Sequence, residues 1–401
     1  QNNKQSARSA YRKAADKNKN KNLKEEALYN YAKLSYELKS DREAINTLEA
    51  FGTGSKFYND AQNLMGVIFQ ETKDYDNAIK IMDGMKTKTP KIQEAYQKVA
   101  LNRALQLIGL GDVLNADEYL SKSLNYPVDA GYKSQALYWK AELAHRKKQY
   151  ATSNDFLNKY ATSARTAANL PEEASPAMAS YLSGYNYFKQ KQYGNAQTSF
   201  EDAVNKIKRA GYKNEQISKI ILADAVLRAG DCYLSKNNYN GALKYYNEAI
   251  DNKYNGHVYA LFQSAIIKGL KGKKYDKAVD LQTLIEDYPK NEYADEALFE
   301  LGGTYQELNE NEKAKKAFKT LVAEYKGKSD QINNALLRLG LVYYNQGDSK
   351  TAIEYYKQVL DNNPTKKESA DALAALEEIY VKDLGQPDEY FAIKSKSGYN
   401  V

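Results

Sequence analysis

The sequence predicts an all-α solenoid of antiparallel helix hairpins, and three observations carry that expectation. A four-residue signature recurs as Gly184, Tyr187, Ala196, Phe200; Gly230, Tyr233, Ala242, Tyr246; Gly302, Tyr305, Ala314, Phe318; and Gly340, Tyr343, Ala352, Tyr356. Its second small residue can be followed along nearly the whole chain, through Ala7, Ala44, Ala78, Ala116, Ser153, Ala196, Ala242, Ala278, Ala314 and Ala352, at separations of 34 to 46 residues. A period of that length marks stacked supersecondary units. Gly and Pro are scarce, at 22 and 7 of 401 residues, while Ala, Leu, Lys, Glu and Tyr abound, so helix is expected nearly throughout and strand nowhere.

The spacing has a physical cause. Two helices approach to about 8 Å only where small side chains meet at the crossing. Gly184 is therefore expected opposite Ala196, with Tyr187 and Phe200 filling the adjoining layer, and the same for Gly230 with Ala242, Gly302 with Ala314 and Gly340 with Ala352.

This pattern resembles the tetratricopeptide repeat, whose unit has a large residue at position 4, Leu-Gly at 7 and 8, Tyr at 11, Ala at 20, Phe or Tyr at 24, Ala at 27 and often Pro at 32. The ninth copy fits closely, with Leu336, Leu339, Gly340, Tyr343, Ala352, Tyr356, Val359 and Pro364 in place; the second follows with Met65, Gly66, Phe69, Tyr75, Ala78 and Met82. Three copies depart: the third has Arg103 and Leu107 around Ala104, the fourth Lys140 and Ser153, and the seventh Ile266 and Gly269 where Gly and Tyr belong. These three are the copies expected to be displaced by a few residues or to pack irregularly. The resemblance implies a right-handed superhelix of about nine helix pairs.

In chain order, Ala7, Tyr11 and Ala14 match positions 20, 24 and 27, so residues 5–16 read as the second helix of a hairpin whose first helix is missing. The Lys/Asn run 17–22 is an inter-repeat loop. Four hairpins fill an N-terminal block, 1–165. Residues 166–176, with Pro171 and Pro176, form either a hinge or a long inter-repeat loop with a helix starting near Pro176. A C-terminal block, 177–401, follows. Within it, residues 214–236 keep a helical apolar spacing for about six turns, which calls for an unusually long helix. Leu373, Leu376 and Tyr380 open a tenth hairpin with Glu377 in the small-residue place, and a turn at 385–387 leads to a short helix over 388–396.

Charge and chemistry narrow the function. The first 24 residues carry eight basic residues and one acidic one, which accounts for the whole formal charge of +7; the rest is neutral, so a nucleic-acid partner is disfavoured. No run of about 20 apolar residues occurs. The lone Cys232 excludes an intrachain disulfide and reads as a packing residue. His145 and His257 have no ligand or nucleophile at a catalytic spacing, and no phosphate-binding glycine motif is present. No catalytic residue, metal ligand or cofactor is expected, and the chain reads as a non-enzyme.

Tyrosine is the unusual component, at 36 residues. Resemblance to the repeat family implies a concave groove lined by positions 2, 5, 9, 12 and 13 of each first helix. Mapped here these give Tyr29 and Tyr36; Tyr138, His145 and Arg146; Tyr181, Tyr185 and Phe188; Phe299; and Tyr344 and Asn345. Tyr combines apolar area, one polar tip and low rotamer entropy, which suits recognition. The expected function is a protein-interaction scaffold that binds a peptide or partner protein in this groove. The alternative is a glycan or peptidoglycan binder that stacks sugars on the Tyr rings. Residues 288–364 are similar to the repeats of periplasmic and outer-membrane-associated bacterial proteins such as envelope assembly lipoproteins and cell-division coordinators, and the Lys/Asn/Tyr-rich composition resembles the long repeat proteins of Bacteroidetes, which implies a periplasmic or outer-membrane-associated location.

Overall fold

The computed structural model describes residues 2–397, which are predominantly helical with no strand among them. A single helix, Asn2–Lys17, precedes nine consecutive hairpins: Lys21–Glu37 with Asp41–Leu48, Tyr58–Glu71 with Tyr75–Gly84, Pro90–Gly109 with Val113–Leu124, Ala130–Arg146 with Tyr150–Ala164, Pro176–Lys189 with Tyr193–Ala210, Leu222–Ser235 with Tyr239–Asp251, His257–Leu270 with Lys274–Asp287, Ala294–Glu307 with Asn311–Glu324, and Ile332–Asn345 with Ser349–Asp361; the two helices of the second pack mainly on Pro90–Gly109 rather than on each other. A tenth pairs Lys366–Glu377 with Pro387–Ser397. Contacts divide the chain into two compact units, residues 1–218 and 219–401. Each is a row of hairpins, and in the second unit one apolar cluster runs from Phe262 to Tyr390.

Local chemistry sets the helix ends. Asn20, Thr89, Asp129 and Ser175 each accept a hydrogen bond from the first turn of the helix they precede, and Pro90 and Pro176 occupy first helical positions, where a missing N–H costs nothing. Thr365 and Glu368 close a full capping box. In eight of the nine hairpins one left-handed residue ends the first helix, carried by Gly347, Gly272 and Gly111 but also by Lys39, Lys148, Lys191, Asn237 and Asn309; in the second, Thr72 is extended instead. The next N–H then bonds back to the first helix, as Asp348 does to the Tyr343 carbonyl at 3.0 Å.

The crossing differs from the expected Gly–Ala meeting. A Cβ placed on Gly184, Gly230, Gly302 or Gly340 would stand 2.7, 2.7, 2.5 or 2.6 Å from the ring of Phe200, Tyr246, Phe318 or Tyr356. The glycine thus makes room for the aromatic ring sixteen residues on. Ala196, Ala242, Ala314 and Ala352 are fully buried but are not what the glycines meet. The physical reason is that a ring face needs the depth of a missing side chain, whereas an Ala opposite would leave a void.

Two of the three irregular copies are regular after all. In the third, Ala104, Leu107, Ala116 and Leu120 are buried in the expected positions. In the fourth, Ser153 replaces Ala, and its hydroxyl donates to the Ala141 carbonyl across the crossing at 2.7 Å. The seventh is slipped by one residue. Gly272 takes the left-handed turn seven residues after Ala265, as Gly347 does after Gly340, so the buried pair is Ala265 and Leu281, both fully buried. Lys277 takes the Ala position, lays its stem against Gly269 and pairs with Glu300 at 2.6 Å.

Residues 166–176 lie within the first unit. Ala174 is buried and accepts from the Tyr160 hydroxyl at 2.7 Å, and Glu172 accepts from the Lys213 and Asn214 amides. The long helix expected over 214–236 is present, opening with a π turn at Gln216–Ile221. On the leading helix Tyr11 is 38% exposed and Ala14 exposed, while Arg8 and Lys4 tie the helix to Glu43 and Glu37 of the first hairpin.

Candidate functional site

The expected groove residues fall into three physical states. Tyr138 is 5% exposed, packed edge-on against Trp139 and tilted against Tyr160, and burial pushes its phenol pKa well up. It belongs to the core, because the fourth hairpin turns this position under the fifth; its placement in the groove is corrected.

A second group is partly covered and committed to neighbours. Tyr29 stacks on Phe57 with centroids 5.5 Å apart. Tyr36 donates to Glu71 at 2.6 Å, a bond that raises its pKa to about 12. Tyr344 donates to Asp383 at 2.7 Å. Tyr181 and Tyr185 are half-buried, edge-to-face with each other at 5.1 Å and both edge-to-face with Phe200; Phe188 meets Tyr193 in the same way at 5.5 Å. His145 is also half-buried. The Asn186 side-chain nitrogen donates to Ser153 Oγ and Asn154 Oδ1, both at 2.8 Å, so its oxygen accepts from His145 Nδ1 at 2.7 Å.

A third group remains open. Arg146 is exposed and paired with Glu142, Asn345 is exposed, and Phe299 is half-buried at the side of a cleft in the second unit. That cleft has a volume of about 520 Å³ and lies between the first helices of the eighth, ninth and tenth hairpins. Its walls include Phe299, Asn334, Leu337, Leu341, Asp371 and Ala375, with the Tyr356 ring beneath. Leu341 is 38% exposed, a large apolar side chain left uncovered by the chain.

The groove positions of the repeat also lead to this cleft. Asn334, Leu337 and Leu341 sit at positions 2, 5 and 9 of the ninth copy, beside the Tyr344 and Asn345 that were singled out. Aromatic content does not mark these positions, which are an amide and two leucines. A second cleft, about 540 Å³, opens in the first unit beside Ala161, Ser183, Ser199 and Asp202, and uses none of the expected groove residues.

Among the described residues no cluster of His, Cys, Asp or Glu could hold a metal ion, and no helix is long and apolar enough to cross a membrane. His257 is occupied structurally, bonded to the Tyr254 carbonyl and the Tyr288 hydroxyl at 2.9 and 3.0 Å.

Sequence models of the tetratricopeptide repeat match residues 223–255, 296–327 and 334–366. No curated protein shows a significant sequence match to the chain. Among solved structures, a tetratricopeptide repeat protein from Parabacteroides merdae is similar over 70% of this chain and 98% of its own, at 12% identity and a TM-score of 0.42. The C-terminal part of a TPR repeat-containing protein from Cytophaga hutchinsonii is similar over 64% of this chain and 93% of its own, at 17% identity and a TM-score of 0.49. YrrB, described as a TPR protein with an unusual peptide-binding site, is similar over 63% of this chain and 92% of its own, at 18% identity and a TM-score of 0.31.

The matched segments coincide with the sixth, eighth and ninth hairpins and pass over the slipped seventh. In each of the three an aromatic ring lies in the space left by a glycine at the crossing. The repeated crossing and the three matched segments together make this chain a member of the tetratricopeptide repeat family.

Proposed function

We propose that the chain is a non-enzymatic protein-interaction scaffold whose second unit takes a peptide segment of a partner protein into the cleft beside Leu341. Repeats of this family serve to hold other proteins, and the observation that carries the finer reading is the cleft itself. It is concave, and its lining interleaves apolar Phe299, Leu337, Leu341 and Ala375 with polar and charged side chains, a mixture that suits a peptide. The glycan alternative fits less well. A sugar needs a ring face open to solvent, but Tyr181 and Tyr185 turn edges and faces to each other and to Phe200, and Tyr29 is stacked on Phe57.

The test is binding of the purified chain to a peptide array and a glycan array in parallel, repeated with Leu341→Asp. Peptide binding that Leu341→Asp abolishes without lowering the melting temperature supports the proposal. Binding confined to glycans overturns it. The envelope location implied by the sequence resemblance belongs to the same proposal and is tested by fractionating the cells that make the protein.

A further inference from the structure

The chain contains two Asn-Gly steps, Asn240–Gly241 and Asn255–Gly256, and the fold treats them in opposite ways. The first lies inside the second helix of the sixth hairpin, Tyr239–Asp251. Its glycine N–H donates to Asn238 Oδ1 at 3.0 Å, and the Asn240 side-chain oxygen accepts from Lys271 at 2.5 Å. The second lies in the loop that joins the sixth hairpin to the seventh, with Asn255 exposed. No hydrogen bond holds the Asn255 side chain or the Gly256 N–H among the described residues.

That loop is a tight turn. The His257 N–H donates to the Tyr254 carbonyl at 2.9 Å, Gly256 stands at φ 86° and ψ 10°, and Asn255 is not left-handed, which together define a type II turn with Gly256 at its third position. Such a turn uses the amide of residue 257 and leaves that of Gly256 unused. The turn is also fastened on both sides. The Tyr254 N–H donates to the Ala249 carbonyl at 3.0 Å, and the Gly256 carbonyl accepts from the Ala260 N–H at 3.1 Å in the next helix. Leu227 Cδ1 stands 2.6 Å from where a Cβ on Gly256 would be, so the backbone has no spare room on that side.

We propose that Asn255 is a site of spontaneous deamidation and isomerisation that loosens the junction of the sixth and seventh hairpins. The Gly256 backbone nitrogen attacks Asn255 Cγ. The new N–Cγ bond closes a five-membered imide, the Cγ–Nδ2 bond breaks, and Nδ2 leaves as ammonia with the proton given up by the amide. Glycine makes the step accessible because no side chain shields its nitrogen. Water then opens the imide. Cleavage of the N–Cγ bond gives aspartate; cleavage of the original peptide bond leaves the chain running through Cγ, which is isoaspartate, one backbone carbon longer. The two products act in opposite directions. Aspartate adds a negative charge at the start of His257–Leu270, which the helix dipole favours. Isoaspartate inserts a carbon between two fastened points beside Leu227 and must displace one of them. At Asn240 the same ring closure has to wait for the helix to open.

The test incubates the full chain at mildly alkaline pH, folded and in urea, and follows the tryptic peptides 254–268 and 237–244 by mass spectrometry, with electron-transfer fragmentation to separate isoaspartate from aspartate. In the folded chain Asn255 is expected to convert at least about tenfold faster than Asn240, because only the latter waits for a helix opening. In urea the two rates should converge. The aged chain should melt below freshly prepared Asn255→Asp, which carries the charge without the extra carbon, whereas Asn255→Gln, which would have to close a six-membered ring, should not age. Equal rates in the folded chain, a faster Asn240, or a difference that persists unchanged in urea overturns the assignment of the site to the turn. Conversion of Asn255 to isoaspartate with an unchanged melting temperature overturns the loosening of the junction.

Discussion

The Tyr356 ring lies in the space that a side chain on Gly340 would need, Cε1 standing 2.6 Å from where a Cβ would be. Even a methyl is therefore too large there. Gly340→Ala is expected to cost about 1–3 kcal/mol by overpacking, and Gly340→Leu more. Replacing Tyr356 by Leu in the Gly340→Ala background should recover part of the loss, because the two positions share one space. Urea denaturation of the two single variants and the double variant measures the coupling; a purely additive result would show that the ring and the glycine are not in contact.

A single carboxylate ties the sixth hairpin to the seventh. Asp231, 7% exposed, pairs with Arg228 and accepts from the hydroxyls of Tyr246 and Tyr259 at 2.7 and 2.9 Å. Asp231→Ala leaves two hydroxyls without their acceptor and is expected to cost about 1–3 kcal/mol for each group orphaned in the interior. Tyr246→Phe removes one bond and should cost about 1 kcal/mol. Equal loss in the two variants would contradict the shared-acceptor arrangement.

The tyrosine-rich core makes a prediction at alkaline pH. Burial raises the Tyr356 phenol to about 12 and also moves Tyr138, Tyr160 and Tyr246 upward. A phenol whose pKa is higher in the folded chain keeps its proton there. Its contribution is whole below the unfolded value of about 10 and is lost as pH climbs through the folded value. Stability should therefore begin to fall near pH 10 and continue toward pH 12, and Tyr356→Phe should make that fall shallower. A Tyr356→Phe slope equal to that of the parent in urea titrations between pH 9 and 12 would refute the assignment.

Two residues that the sequence placed in one groove should behave oppositely. Tyr138→Ala empties a core position and is expected to cost about 3–5 kcal/mol. Arg146→Ala, eight residues on, removes an exposed ion pair with Glu142 and should change stability by less than about 0.5 kcal/mol. Thermal melts of the pair decide the matter, and similar losses would place both on the same face.

The architecture was legible because a crossing of fixed geometry imposes fixed spacing: the Gly-to-aromatic interval of sixteen residues survives in four copies and, as Ala265 to Leu281, in the slipped one. What the interval could not reveal was the pairing, since Ala196 and Phe200 are both candidate partners of Gly184 until the depth of the crossing is known. The seventh slip was concealed by Ala278, an alanine one residue past the crossing, and only the turn at Gly272 exposes it. The groove was less legible. Whether a tyrosine at a groove position faces outward depends on the neighbouring hairpin, as the contrast between buried Tyr138 and half-buried Tyr185 shows.

The hydrogen bonds joining His145, Ser153, Asn154 and Asn186 bear on how such a chain can be rearranged. Asn186 is fully enclosed, and every polar atom of its side chain is answered by the preceding copy. Transplanting either copy beside a different neighbour, or duplicating one of them in tandem, would strand an amide or a hydroxyl in the interior. Copies four and five are therefore expected to tolerate rearrangement only as one block, their order in the array being set by polar complementarity that a shared apolar spacing cannot supply.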